Sequence, residues 1–200
     1  MKAPPVFSAH NRLTLPMPPD QAACAALWDK YNLPEHIRQH SRMVAMVAEE
    51  TAALALNAGL AVDLKATRAA GLLHDLAKMH TLTYGGKHGP LAGAWIMAAT
   101  RHVLVAQAVF HHVYWPWKLD LDKNPLPLII IYADKRVSHD RLVSLSERYE
   151  DIMTRYGLTE AARQNINKCN KQWREIEKLL TERLGTDLNA HTFNRRRMVE

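Results

Sequence analysis

In "GLLHDLAKMH", residues 71–80, a histidine and an aspartate stand side by side within an apolar run. Burying a carboxylate without a partner is strongly destabilising, so His74 and Asp75 need something that satisfies them. Residues of the same types recur at helical spacing elsewhere in the chain. Leu33, His36, His40, Val44, Val47, Thr51 and Leu54 follow steps of three or four, which puts His36 and His40 on an inward stripe. Leu104, Ala108 and His111 share one face, and Val105, Val109 and His112 share the next. Leu126, Ile130, Asp134 and Val137 share another, making Asp134 a second inward carboxylate. A lone histidine on an apolar face is usually a hydrogen-bonded core residue. The coincidence of His40, His74, Asp75 and Asp134 on three helices, with His88 and His111 available nearby, instead suits a divalent cation. Such an ion takes imidazole nitrogens and carboxylate oxygens together, neutralising the buried charge and occupying the lone pairs at once.

The elements that would position these residues read as helices. Asp20 can cap "QAACAALWDKY", a long helix over 35–57 follows Leu33-Pro34, and Asp63 can cap a third that carries "LKATRAAGLLHDLAK". "TLTYGGKHGP" reads as a loop whose proline opens a fourth helix near Pro90, and a fifth covers 101–113. "YWPWKLDLDKNPLP", 114–127, reads as a proline-broken loop before a helix over 126–139, with further helices at 140–156 and 158–184. "LPLIIIYA" alone has strand character and finds no partner strand, so the expected fold class is all-α. Residues 1–19 hold half of the prolines and read as an extended arm. Residues 20–157 would form the main domain, and 158–200 a C-terminal helix and basic tail packed on or beside it.

The 200-residue chain is 48% hydrophobic, which suits one soluble domain with a real core. Cys24 and Cys169 lie far apart without a CxxC, which points to a reducing compartment rather than a disulfide framework or thiolate metal site. With no signal-like or membrane-length apolar run, the expectation is a cytoplasmic protein without a membrane partner. About half of the +6 formal charge falls in residues 160–200, which include "NRRRM" at 194–198. That run is short and lacks interleaved aromatics, so it reads as a solvated tail rather than a nucleic-acid site. Tyr114, Trp115 and Trp117 either seal an edge of the core or offer a surface on which a nucleobase stacks.

The ordered set H…HD…D resembles the HD superfamily of metal-dependent phosphohydrolases over roughly residues 33–140. "LPEHIRQHSRMVAMVA" resembles the helix bearing the family's first metal histidine, "GLLHDLAK" the HD signature, and "IIIYADKRV" the helix with the last aspartate. The resemblance implies an HD-domain helical bundle with additional C-terminal helices, and a metal held by His40, His74, Asp75 and Asp134. "KHGPLAGAWIM", with His88, and "AVFHHVYW", with His111, resemble the subset that binds two metals. The order H…HD…H…H…D is also that of the bacterial HD-type symmetrical dinucleoside-tetraphosphate hydrolases, whose metals are typically iron. The likeness to the HD-GYP cyclic-di-GMP phosphodiesterases fails, because "HHVYWPWKLD" replaces their pattern after the paired histidines.

On this resemblance Asp75 bridges two ions, with His40, His74 and Asp134 on one side and His88 and His111 on the other. His112 and His36 are reserve ligands. The implied cofactor is one or two divalent ions from among Fe, Mn, Mg, Ni and Zn, an iron pair being favoured. The implied reaction is hydrolysis of a phosphate ester or anhydride of a small nucleotide-like substrate by a metal-activated water. Asp75 and Lys78 are the expected catalytic residues, Lys78 facing the phosphate, with Lys135 and Arg136 less well placed. The same residues leave open a non-catalytic metal- and nucleotide-binding module or a di-iron oxygenase. The C-terminal helices leave open a homodimer.

Overall fold

The computed structural model describes residues 16–191 and 193, so most of the proline-rich arm and the NRRRM tail lie outside the described residues. The first helix, α1 (Gln21–Lys30), starts where the Asp20 carboxylate accepts the Ala23 N–H, and α3 (Leu64–Leu73) starts where Asp63 accepts that of Ala66. Between them the long helix α2 (Glu35–Asn57) buries Ile37, His40, Ser41, Val44, Val47, Ala48, Thr51 and Ala55 against the rest of the bundle. The α2 and α3 backbones touch at Gly71, where an added Cβ would lie 2.5 Å from the Ala45 Cα. No side chain fits there. This close approach, with the Trp28 indole donating to the Leu72 carbonyl at 2.8 Å, fixes the end of α3 in the core.

Helix α7 (Pro125–Lys135) is the axis of the bundle, and every one of its residues is buried. That explains the strand-like look of "LPLIIIYA": a helix enclosed on all sides needs no polar face and loses its amphipathic period. It packs against α2, α3, the short helix α6 (Val103–Phe110) and the 25-residue helix α9 (Glu160–Leu184). Helix α5 (His88–Thr100) lies along α6, and α8 (Leu145–Tyr156), which starts at a capping box of Ser144 and Glu147, packs on α9. The protein is an all-α bundle. Among the described residues its only strands are the two-residue pair β1 (Val137–Ser138) and β2 (Arg141–Leu142), antiparallel to each other. No described helix is long and apolar enough to cross a membrane.

The chain departs from the sequence expectation where helices begin and end, and the helix expected over 140–156 starts only at Leu145, after β2. The helix expected over "LKATRAAGLLHDLAK" stops at Leu73, residues 74–77 form a turn, and a separate helix, α4 (Lys78–Tyr84), takes up the first four residues of the expected loop. Helix α5 begins at His88 rather than at Pro90. The helix expected over 126–139 ends at Lys135, where Arg136 turns the chain into the β1–β2 ribbon and its side chain donates to the Val143 carbonyl. After α9 the chain folds back, and the Arg136 guanidinium bonds the Leu188 carbonyl while Leu188 and Phe193 are buried.

Candidate metal centre

Neighbouring residues of a regular helix point about 100° apart and do not face each other. Beyond Leu73 the chain tightens into a turn in which His74 keeps helical dihedrals (φ −58°, ψ −36°), and it is the ends of the His74 and Asp75 side chains that converge. Tight bonds from Leu76 N–H to the Leu73 carbonyl and from Lys78 N–H to the Asp75 carbonyl close the turn. His74 Nε2 and Asp75 Oδ2 come to lie 3.5 Å apart, both side chains in the core.

Six side chains then form two groups, each with donor atoms close enough to share one ion. The first is His40, His74 and Asp134; the second is Asp75, His88 and His112. In the first, Asp134 Oδ1 lies 3.3 Å from His40 Nε2 and 3.6 Å from His74 Nε2. In the second, His88 Nε2 and His112 Nε2 are 3.0 Å apart, and Asp75 Oδ1 is 3.4 Å from the former and 3.9 Å from the latter. Asp75 faces both groups: its Oδ2 is directed at His74 and, at 4.0 Å, at His40. The second group depends on a missing side chain. A Cβ on Gly89 would sit 2.9 Å from the Phe110 carbonyl oxygen and 3.3 Å from His112 Nδ1, so only glycine lets the start of α5 press against the end of α6.

The backbone fixes the imidazole tautomers. A carbonyl only accepts, so Nδ1 carries the proton in His40 (to the His139 carbonyl, 3.0 Å), His74 (to Gly71, 2.8 Å) and His112 (to Val109, 2.7 Å). In a neutral ring each Nε2 then presents its lone pair to the others. His74 Nε2 is fully buried and has no hydrogen-bond partner, a state that a ligated cation would relieve. The turn residue His139 has φ +56°, and this bend aims its carbonyl at His40.

Charge in the cluster matches what ligation requires. Burial pushes the Asp75 carboxyl up, but the neighbouring His74, Lys78, His88 and His40 outweigh it and hold it well below the usual range. Asp134 behaves likewise, burial being overcome by Lys135, His40 and His74. Burial lowers His74 and His88 despite the carboxylates, and drives His112 well down with help from His88 and His74. The carboxylates are therefore ionised and these three rings neutral, the forms in which they bind metals. Lys78 donates to Asp75 Oδ2 at 2.7 Å, and that attraction exceeds the cost of its burial, so it stays an ammonium. Lys135 donates to Asp134 Oδ2.

Two sequence-derived positions need correction. His111 lies in neither group, and His112 stands in the place expected for it. Both close equivalent apolar stripes, so the pattern does not separate them; the end of α6 at Phe110 does, because the following turn swings His112 inward. His111 packs edge-on against Trp115 and Trp117, and Trp115 is wholly buried, so this aromatic cluster seals the core. His36 is exposed, because the inward stripe of the first turn of α2 passes through Ile37 instead. The acceptor carbonyls of Gly71, Val109 and His139 carry no side-chain signal that sequence reasoning could use.

A comparison with family models matches the HD domain over residues 37–139. Comparisons with curated proteins and with solved structures gave no match. The matched segment is more than half of the chain and runs from the first turn of α2 to the β1–β2 turn. It contains all six clustered side chains. On that match the chain belongs to the HD domain family.

Proposed function

We propose that this protein is a metal-dependent phosphohydrolase that cleaves a phosphate ester or anhydride of a nucleotide-like molecule. The family's prevalent activity supports the reaction class. The observation that carries the reading is Asp75, whose two oxygens face the two groups separately and are suited to bridging a pair of ions. A bound divalent ion supplies Lewis acidity and lowers the pKa of a coordinated water toward neutrality. The donor set is nitrogen and oxygen only, which suits iron, manganese, nickel or zinc, and we favour iron. The side chains of Lys78 and His88 are 32% and 30% exposed while the other members are buried, so substrate enters on their side. There the Lys78 ammonium can turn from Asp75 to a phosphoryl oxygen as negative charge accumulates on it. His112 and His74, enclosed and neutral, would turn their Nε2 lone pairs to the ions from behind. A dinucleoside polyphosphate is one member of the substrate class. Lys78 at the mouth favours phosphate over the oxygenase reading of the same ligands.

We also infer a cytoplasmic location, since both cysteines are free thiols. The test is metal analysis of purified protein with a panel of phosphate mono- and diesters, nucleotides and dinucleoside polyphosphates. Turnover is expected, and is expected to vanish in both His74→Ala and Asp75→Ala. Bound metal without turnover on any member would refute hydrolysis and support a binding module, and oxygen consumption with an organic substrate would support an oxygenase.

A further inference from the structure

Asp134 offers its two oxygens to different partners. Oδ1 faces His40 and His74, while Oδ2 accepts from the ammonium of Lys135, the next residue in the chain. Consecutive helical residues do not normally meet in this way, and the Lys135 side chain is only 8% exposed. Its ammonium lies 5.2 Å from the ring centre of Trp173, itself 2% exposed, on helix α9. A cation enclosed between a carboxylate and an indole face is held on both sides. Trp173 lies more than thirty residues beyond the segment that matches the HD family.

We propose that Trp173 and Lys135 form a clamp that positions Asp134, so that helix α9, outside the family segment, sets the geometry of the first metal group. Lys135 is a positioning residue: it occupies Oδ2 and so leaves Oδ1 as the single oxygen turned toward the imidazoles. Without it the carboxylate is free to rotate or to present both oxygens. Trp173 keeps the ammonium in place, and the neighbouring Arg136 ties the same corner to the chain after α9 through the Leu188 carbonyl. The inference rests on the metal-binding part of the function proposed above.

The sign of one substitution separates positioning from simple charge. Removing a nearby positive charge by itself tightens the binding of a cation, because like charges repel. Removing a positioning group loosens it, by about 10–100-fold for residues that orient a ligand. The probe is Co²⁺, titrated into metal-free full-length protein and followed by its visible absorption, whose intensity reports coordination number and geometry. Lys135→Met is expected to weaken Co²⁺ binding about tenfold or more and to change the band intensities. Trp173→Leu is expected to do the same, and Trp173→Phe, which keeps an aromatic face, to restore both. Thermal unfolding of the metal-free variants identifies the ones that are folded. Tighter or unchanged Co²⁺ binding with the original spectrum in folded Lys135→Met overturns the clamp. If wild-type protein binds no Co²⁺ at all, the metal reading itself fails and the clamp with it. Unaltered binding in the two leucine and methionine variants beside a competent wild type defeats the clamp alone.

Discussion

The assignment of His112 in place of His111 offers the most direct test of the site. His112 is 1% exposed, its Nδ1 is tied to the Val109 carbonyl, and its Nε2 faces His88 Nε2 at 3.0 Å. Replacing it with alanine removes one of three donors from the second group. Partners that merely orient a ligand are worth about 10–100-fold in metal affinity, so losing a donor costs at least about 100-fold, or about 2.7 kcal/mol. His111→Ala removes two edge-on ring contacts, to Trp115 at 5.3 Å and Trp117 at 4.9 Å. At about 0.5–1.5 kcal/mol each, these are a loss of fold stability and not of metal. The assay is metal stoichiometry after loading with Mn²⁺ or Fe²⁺ and desalting, with thermal unfolding in parallel. His112→Ala should retain about one ion fewer per chain than wild type, and His111→Ala should keep the wild-type count while unfolding a few degrees earlier. An ion lost from folded His111→Ala but kept by His112→Ala would refute the assignment and the tautomer argument behind it.

Gly89→Ala should act at the same place without touching a donor. Relieving the Cβ contact with the Phe110 carbonyl costs about 1–3 kcal/mol of stability and parts His88 from His112, seen as a lower second-ion affinity by calorimetric titration. Lys78→Met should lower kcat by about 10²–10³-fold with little change in KM, as expected of a contact made chiefly in the transition state. Stripping the metal with a chelator should lower the unfolding midpoint by about 5–10 °C when the free ion had been at about a hundred times its Kd. Acid should weaken the metal-free fold, because His74, His88 and His112 take up protons less readily when folded than when unfolded. The unfolded chain then binds more protons below its histidine pKa of about 6.5, so stability is complete above that value and falls as pH drops below it. A denaturation series between pH 8 and 5 checks the sign; stability that rises on acidification would contradict the neutral, enclosed rings.

Much of this could be read from the chain because its signals are local. Asp20 and Asp63 announce their helices, and the long α2 pattern delivers His40 to the core. His74, Asp75 and Asp134 are visible as polar residues in apolar surroundings, and their burial follows from that. What could not be read depends on where helices stop. The pattern through "LKATRAAGLLHDLAK" gives no sign that hydrogen bonding changes at His74, and "AVFHHVYW" offers two equivalent stripes until the end of α6 separates them. His36 fails for a similar reason: a tolerance of one residue in helical phase at the first turn decides between an exposed and a buried ring. Lys135 was invisible as a partner of Asp134 because adjacent helical residues ordinarily diverge, and its second neighbour, Trp173, is remote in sequence.

The turn at His74 and Asp75 ties the two groups together. One peptide bond joins His74 of the first group to Asp75 of the second, so the backbone spacing between the groups is fixed at that point and does not vary as helices shift. The remaining members come from separate elements: His40 and Asp134 from α2 and α7, His88 and His112 from the start of α5 and the turn after α6, which press together at Gly89 and Gly93. A displacement of the turn is therefore felt by both groups at once, and a substitution that shifts it should weaken both.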